Sequence, residues 1–277
     1  MAILLGLAAA LLYGGADFGG GLLSRRLGSL RVNVLGSTAA AALSLVVLAT
    51  IHTGAPTLRA VGWGLVSGIG GGVGTLMLYR GLARGQMSVV GPVSAVGAAV
   101  LPAIAGIALG QRLQPLAAVG VGLALPAIAL VAGGGTGTAG RLRSGLGDGL
   151  AAGTAFGVLF VGLAQAGPHG GLWPIASEQV SSALIVLGVA IASREPMRVG
   201  LRNAGMPILV GLGGMSDTLL YFVASQSGTL ATVAILTSLY PGVTVVLARM
   251  VLHERFSLAQ RTGLGLAAIA VAAVALN

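Results

Sequence analysis

Long apolar and small-residue runs alternate with short polar breaks along the whole chain. The runs are Ala2–Leu23, Val32–Ile51, Val61–Tyr79, Met87–Leu109, Leu116–Ala132, Leu146–Ala166, Leu172–Ile191, Asn203–Ala224, Thr229–Arg255 and Ser257–Leu276. Each is about long enough to cross a ~30 Å hydrocarbon core as a helix. The breaks carry arginine, proline or glycine: Arg25 and Arg26 before Arg31, Pro56 with Arg59, Arg84-Gly85, Gln111-Arg112 with Pro115, and Arg194 to Arg202. The pattern predicts an all-α membrane protein of ten transmembrane helices. The first run lacks a basic leading segment and carries Asp17, so it reads as a span rather than a cleaved leader.

The chain repeats itself. Gly228 minus Gly85 is 143, and so is Arg255 minus Arg112. At that offset Thr75 matches Thr218, Gly70-Gly71 matches Gly213-Gly214, and Gly14, Gly19 and Gly28 match Gly157, Gly162 and Gly171. Residues 1–132 and 146–277 therefore read as two diverged copies of one five-helix unit. The stretch Gly133–Gly145 between them is glycine-rich, but no Gly-Lys-Ser/Thr closes it, so it reads as a linker and not a phosphate loop. An odd number of spans per copy turns the second copy upside down, which predicts inverted repeats.

Composition agrees with a hydrocarbon solvent. Only 8% of residues are charged and mean hydropathy is +0.98, against about 25% charged in soluble domains. All 15 basic residues are arginines. They stand singly or in pairs between apolar runs, which is a membrane-orientation signal and excludes a nucleic-acid-binding stripe. With flanking positions included, Arg59 and Arg112 fall on one side and the other arginines on the opposite side. Basic loops stay in the cytoplasm, so the count places both termini outside. The absence of cysteine excludes disulfides and thiolate metal sites, His52, His169 and His253 form no ligand motif, and no cofactor is implied. Glycines spaced by four, Gly64–Gly68–Gly72 and Gly149–Gly153–Gly157, suit close helix packing in lipid.

Taken together, several stretches resemble the EamA-type members of the drug/metabolite transporter superfamily. Ser238-Leu239-Tyr240-Pro241 with Thr244, Leu247-Ala248-Arg249, Leu252, Glu254-Arg255, Gln260 and Gly263 is similar to that family's signature in spans nine and ten. Ser94-Ala95-Val96, Leu109-Gly110 and Arg112 resemble a weaker first-copy version, with Gln111 where a glutamate is common. Tyr13-Gly14-Gly15-Ala16-Asp17-Phe18 resembles the first-span motif. The resemblance implies transport of small organic solutes. Many such relatives are drawn with cytoplasmic termini, opposite to the arginine count.

Chemistry in so apolar a chain rests on its few acids. Asp148, Glu195 and Glu254 fall at loops or span ends, where solvation costs little. Asp17, Glu178 and Asp217 fall inside spans, where each costs roughly 2.5–3.5 kcal/mol near a helix centre. Tyr13 lies one turn from Asp17, Tyr221 one turn from Asp217, and Ser181 and Ser182 follow Glu178 on the same face. Two readings stand: these acids line a central cavity and bind an ammonium group or a coupling proton, or they are structural groups hydrogen-bonded across helices. Tyr240 joins the candidate binding residues. Pro92, Pro102 and Pro241 interrupt spans, Pro241 leaving the Thr237 carbonyl free, and such breaks line transporter cavities or simply kink a packed helix. His253-Glu254-Arg255 offers a gate ion pair or an exposed span end. Trp63 and Trp173 suit interface anchors, and Arg249 suits snorkelling.

Metalloprotease, serine-hydrolase and ATP-binding motifs are missing, which argues against an enzyme. The expected function is secondary transport of a small metabolite by alternating access in the cell membrane, with export of amino acids or related compounds first. The partners are a small-molecule substrate and the lipid bilayer, with no nucleic acid, and a monomer suffices. Import or exchange of a nucleotide-sugar-like or drug-like solute is the alternative. A non-transporting scaffold or intramembrane enzyme is the alternative of another class.

Overall fold

The structure, a computed structural model, describes residues 2–51, 54–84, 87–108, 115–133, 139–167, 170–227, 240–253 and 257–275. Those residues form ten α-helices: α1 (Ala2–Leu27), α2 (Ser29–Thr50), α3 (Leu58–Arg84), α4 (Met87–Ala108), α5 (Pro115–Gly133), α6 (Ala139–Ala166), α7 (Trp173–Ser193), α8 (Leu201–Ser227), α9 (Tyr240–Leu252) and α10 (Leu258–Ala275). No strand occurs among the described residues. Among the described residues, four stretches are long and apolar enough to cross a membrane by themselves: Ser29–Thr50, Leu58–Arg84, Gly145–Ala166 and Trp173–Ser193. α6 begins at Ala139, inside the stretch expected as a linker, and its first turns carry Arg141 and Arg143 out of the apolar segment.

The duplication is legible in the turns. Gly28 separates α1 from α2 with φ 89°, and Gly171, its counterpart at the 143-residue offset, precedes α7 with φ 53°. Both positions need the left-handed backbone that glycine adopts freely. Gly28→Ala should therefore cost about 1–2 kcal/mol, read as a lowered thermal midpoint in detergent. Nothing stands within 4 Å of the added methyl, so the loss would report backbone strain alone.

The most extensive packing joins one half to the other. α3 packs on α6 and α7, α8 on α1 and α2, α4 on α6, α9 on α1, and α5 on α10. The offset carries α3 to α8, α6 to α1 and α7 to α2, so these interfaces come in corresponding pairs. Glycine makes the close approach possible. On α3, Gly64, Gly68 and Gly72 lie on the α7 backbone, while Gly70, Gly74 and Gly81 lie on α6. On α6, Gly149, Gly153 and Gly157 lie on α4. Both glycine stripes seen in the sequence are thus helix seams, where a methyl group would hold the backbones apart.

Contact registers fix helix directions. Along α3, residues 70 and 81 meet residues 155 and 148 of α6, so the two run antiparallel; residues 64, 68 and 72 meet 174, 178 and 182 of α7, so these run parallel. α1 meets α8 antiparallel, through Tyr13 with Thr218 and Gly19 with Val210. α1 runs with α3, as Gly20 meets Tyr79 and Gly21 meets Leu82. It follows that α1 opposes α6 and α3 opposes α8.

Two ends of the bundle are distinct. At one, Arg25 donates to the Leu82 carbonyl, Arg31 to the Pro196 carbonyl, and Arg80 pairs with Asp148. At the other, Arg59 donates to the Gln165 carbonyl and the Trp173 indole to the Gly54 carbonyl. Between them the outer surface is apolar: Leu11, Leu184 and Leu209 are each at least 60% exposed, with Val46, Ile69 and Ile269 half exposed. Such a surface suits acyl chains and not water.

Candidate functional site

Glu178 is set by the packing of α7 on α3. It lies one turn after Pro174 at the start of α7, and its side chain is buried at 5% exposure. Because Gly68 and Gly71 of α3 carry no side chain, α7 comes close enough to lay the carboxyl over α3: a Cβ at Gly71 would stand 2.6 Å from Glu178 Oε1 and 3.6 Å from Ser182 Oγ. Ser181, on the same face, donates to the Leu65 carbonyl at 2.8 Å and ties the two helices. Among the described residues the Glu178 carboxyl has no hydrogen-bond partner and no ion pair. A buried acid left so is costly unless a ligand or a proton satisfies it.

Asp17 is half-buried on α1. Its turn is held by polar contacts on both sides: the Tyr13 hydroxyl meets Thr218 Oγ1 of α8 at 3.4 Å, and Thr244 Oγ1 of α9 donates to the Gly14 carbonyl at 3.2 Å. Gly20 and Gly21, one turn on, meet α3. Helical spacing puts Asp17 on the face between Gly14 and those glycines, toward the interior of the bundle. The helices that carry Asp17 and Glu178, α1 and α7, thus both pack on α3. Asp217 lies on α8 beside Thr218. Its side chain, those of Tyr221, Tyr240 and Pro241, and the whole of Thr237, Glu254 and Arg255 lie outside the described residues. The backbone of Pro241 falls within α9.

Pro92 and Pro102 are inside α4. Pro92 helps line a shallow apolar crevice, too tight to admit a water molecule, with Val93, Val96, Ala127, Ile128 and Ala267. Ordinary ligand sites enclose roughly 300 Å³ or more, and this crevice is lined by apolar side chains, so the acids and not the crevice define the candidate site.

Asp148 corrects an expectation. It was expected at a solvated span end, yet it is 5% exposed on α6 and pairs with Arg80 of α3 at 3.3 Å. Its cover comes from α3 and α4, which meet beside it at Gly81 and Val90. Thr218 and Thr244 were also missed as polar partners of the first span. The recurrence of Thr75 as Thr218, one position from Asp217, was the available signal.

A helical bundle with an apolar outer belt, two polar ends and carboxylates between its helices is a multi-pass membrane protein. The model of the EamA-like transporter family matches residues 1–133 and again 144–276, and the chain belongs to that family of small-solute transporters. A solved crystal structure is similar over 99% of this chain and 96% of its own, with a TM-score of 0.60 and 19% identity, a likeness of fold alone. No curated protein matches the chain.

Proposed function

We propose that the protein is a secondary transporter that moves a small amine-bearing metabolite, an amino acid or a related compound, out of the cell by alternating access. The observation that carries this reading is Glu178, buried between one helix of each half with no partner for its carboxyl among the described residues. A cationic group or a proton is what such a site takes up. Asp17 and Asp217, with Tyr13, Tyr221 and Tyr240, complete the binding set, and Pro92, Pro241, Glu254 and Arg255 serve helix breaks and gating.

The scaffold is ten spans in two inverted five-helix repeats, 1–132 and 146–277, joined by 133–145. The antiparallel sense of α1 against α6 and of α3 against α8 supports it. The arginine-rich end faces the cytoplasm of the cell membrane, and one chain suffices for transport. An anionic substrate is disfavoured because the described arginines stand near the bundle ends.

Flux into proteoliposomes tests the reading. Amino acids or primary amines should move down an imposed solute or proton gradient, and anionic sugar nucleotides should not. Movement of anions alone, or of no solute under any gradient, would overturn it.

A further inference from the structure

We infer that the Arg80–Asp148 ion pair is a one-sided latch that holds the two halves together at the arginine-rich end and biases the protein toward the state sealed there. The pair joins α3 of the first half to α6 of the second. Asp148 is packed where three helices converge: the position of a Cβ on Gly81 of α3 is 2.8 Å from both Asp148 Cβ and Val90 Cγ1 of α4. Arg80 is 45% exposed at its side chain and covers the carboxylate from outside.

The two halves are not equal here. The interface of α3 with α6 corresponds to that of α8 with α1. At the 143-residue offset Arg80 becomes Val223 and Asp148 becomes Leu5, residues that cannot form an ion pair. Under the inverted arrangement proposed above, on which this inference rests, the corresponding seam belongs to the opposite end. The sequence therefore places this charge pair at one end and apolar residues at its counterpart, and the two closed states differ in energy by what the pair contributes.

The latch is also built to release. Asp148 Oδ2 is buried with no hydrogen-bond partner, so the carboxylate is held through one oxygen only. With the Arg80 side chain 45% exposed, water can replace this one ionic contact when the helices part. The seam behind it is unanchored in the same way, since Ser94 Oγ on α4 is buried without a partner beside Gly153 of α6.

The double variant Arg80→Val/Asp148→Leu copies the counterpart seam and removes both charges together, so that neither is left unpaired. The chain has no cysteine, so Ser94→Cys gives a unique reporter behind the latch. With protein in sealed vesicles, a membrane-impermeant maleimide applied at the Arg80 end should label Ser94→Cys at least about fivefold faster in the double variant than with the pair intact. Asp148→Asn, which keeps the shape, serves if the double variant fails to fold, and should accelerate labelling in the same direction. Equal rates in a folded, monodisperse variant would overturn the latch. Ser67→Cys, on the seam of α3 with α6 nearer the other end, separates the two ideas. Its labelling should fall as that of Ser94→Cys rises. A rise at Ser94→Cys with no change at Ser67→Cys would keep the latch and count against the inverted, alternating reading.

Discussion

Glu178→Gln should reduce substrate flux by roughly 30-fold or more while the protein still purifies as a folded, monodisperse species. The amide keeps the size of the side chain and removes its charge. If the carboxylate holds an ammonium group or carries a proton, deleting one partner of that buried interaction costs about 2 kcal/mol or more. If the acid is structural, the amide should be tolerated, because among the described residues no ion pair depends on it. Gly71→Ala sharpens the test. The new methyl would stand 2.6 Å from Glu178 Oε1, so the charge stays but the carboxyl must move. Flux in that variant should fall with a raised KM for the substrate. Full flux in both variants would remove Glu178 from the site.

Gly68→Ala should be among the most damaging single-methyl changes in the chain. The added Cβ would collide with the Glu178 carbonyl, the Ser181 Cβ and the Ser182 amide nitrogen of α7. Backbone cannot swing aside as a side chain can, so α3 and α7 must separate and Ser181 must leave the Leu65 carbonyl. Overpacking of this kind costs about 3 kcal/mol. Gly62→Ala, on the same helix with nothing within 4 Å, is the control and should be neutral or slightly stabilising. Thermal unfolding in a single detergent measures both, and equal midpoints for the two variants would mean that the seam yields more easily than its geometry states.

Much of the architecture is legible in the linear chain. Hydropathy marks the helices because a span must satisfy its own backbone in lipid, which leaves a strong linear signal. The offset of 143 marks the duplication, and the positive φ at both Gly28 and Gly171 shows how far the two copies keep the same turn. The glycine spacing marks the seams, but not their partners: Gly64–Gly68–Gly72 meets α7, whereas Gly149–Gly153–Gly157 meets α4. Spacing defines a face of a helix and leaves open what the face meets.

The acids divide in the same way. Glu178 stands out because an apolar run rarely tolerates a carboxylate. Asp148 escapes a linear reading because position along the chain measures distance to a span end, not cover by a neighbouring helix. Its cover comes from α3 and α4, far away in sequence, and its charge is met by Arg80 across the two halves.

The sequence by itself therefore determined the membrane class, the repeat and Glu178 as a carboxylate inside an apolar run, since each is a local or periodic property of the chain. Only the tertiary structure decided which helices face each other and in which sense they run. It also decided that Asp148 is paired while Glu178 meets no partner among the described residues, because cover and pairing depend on residues more than fifty positions apart meeting in space.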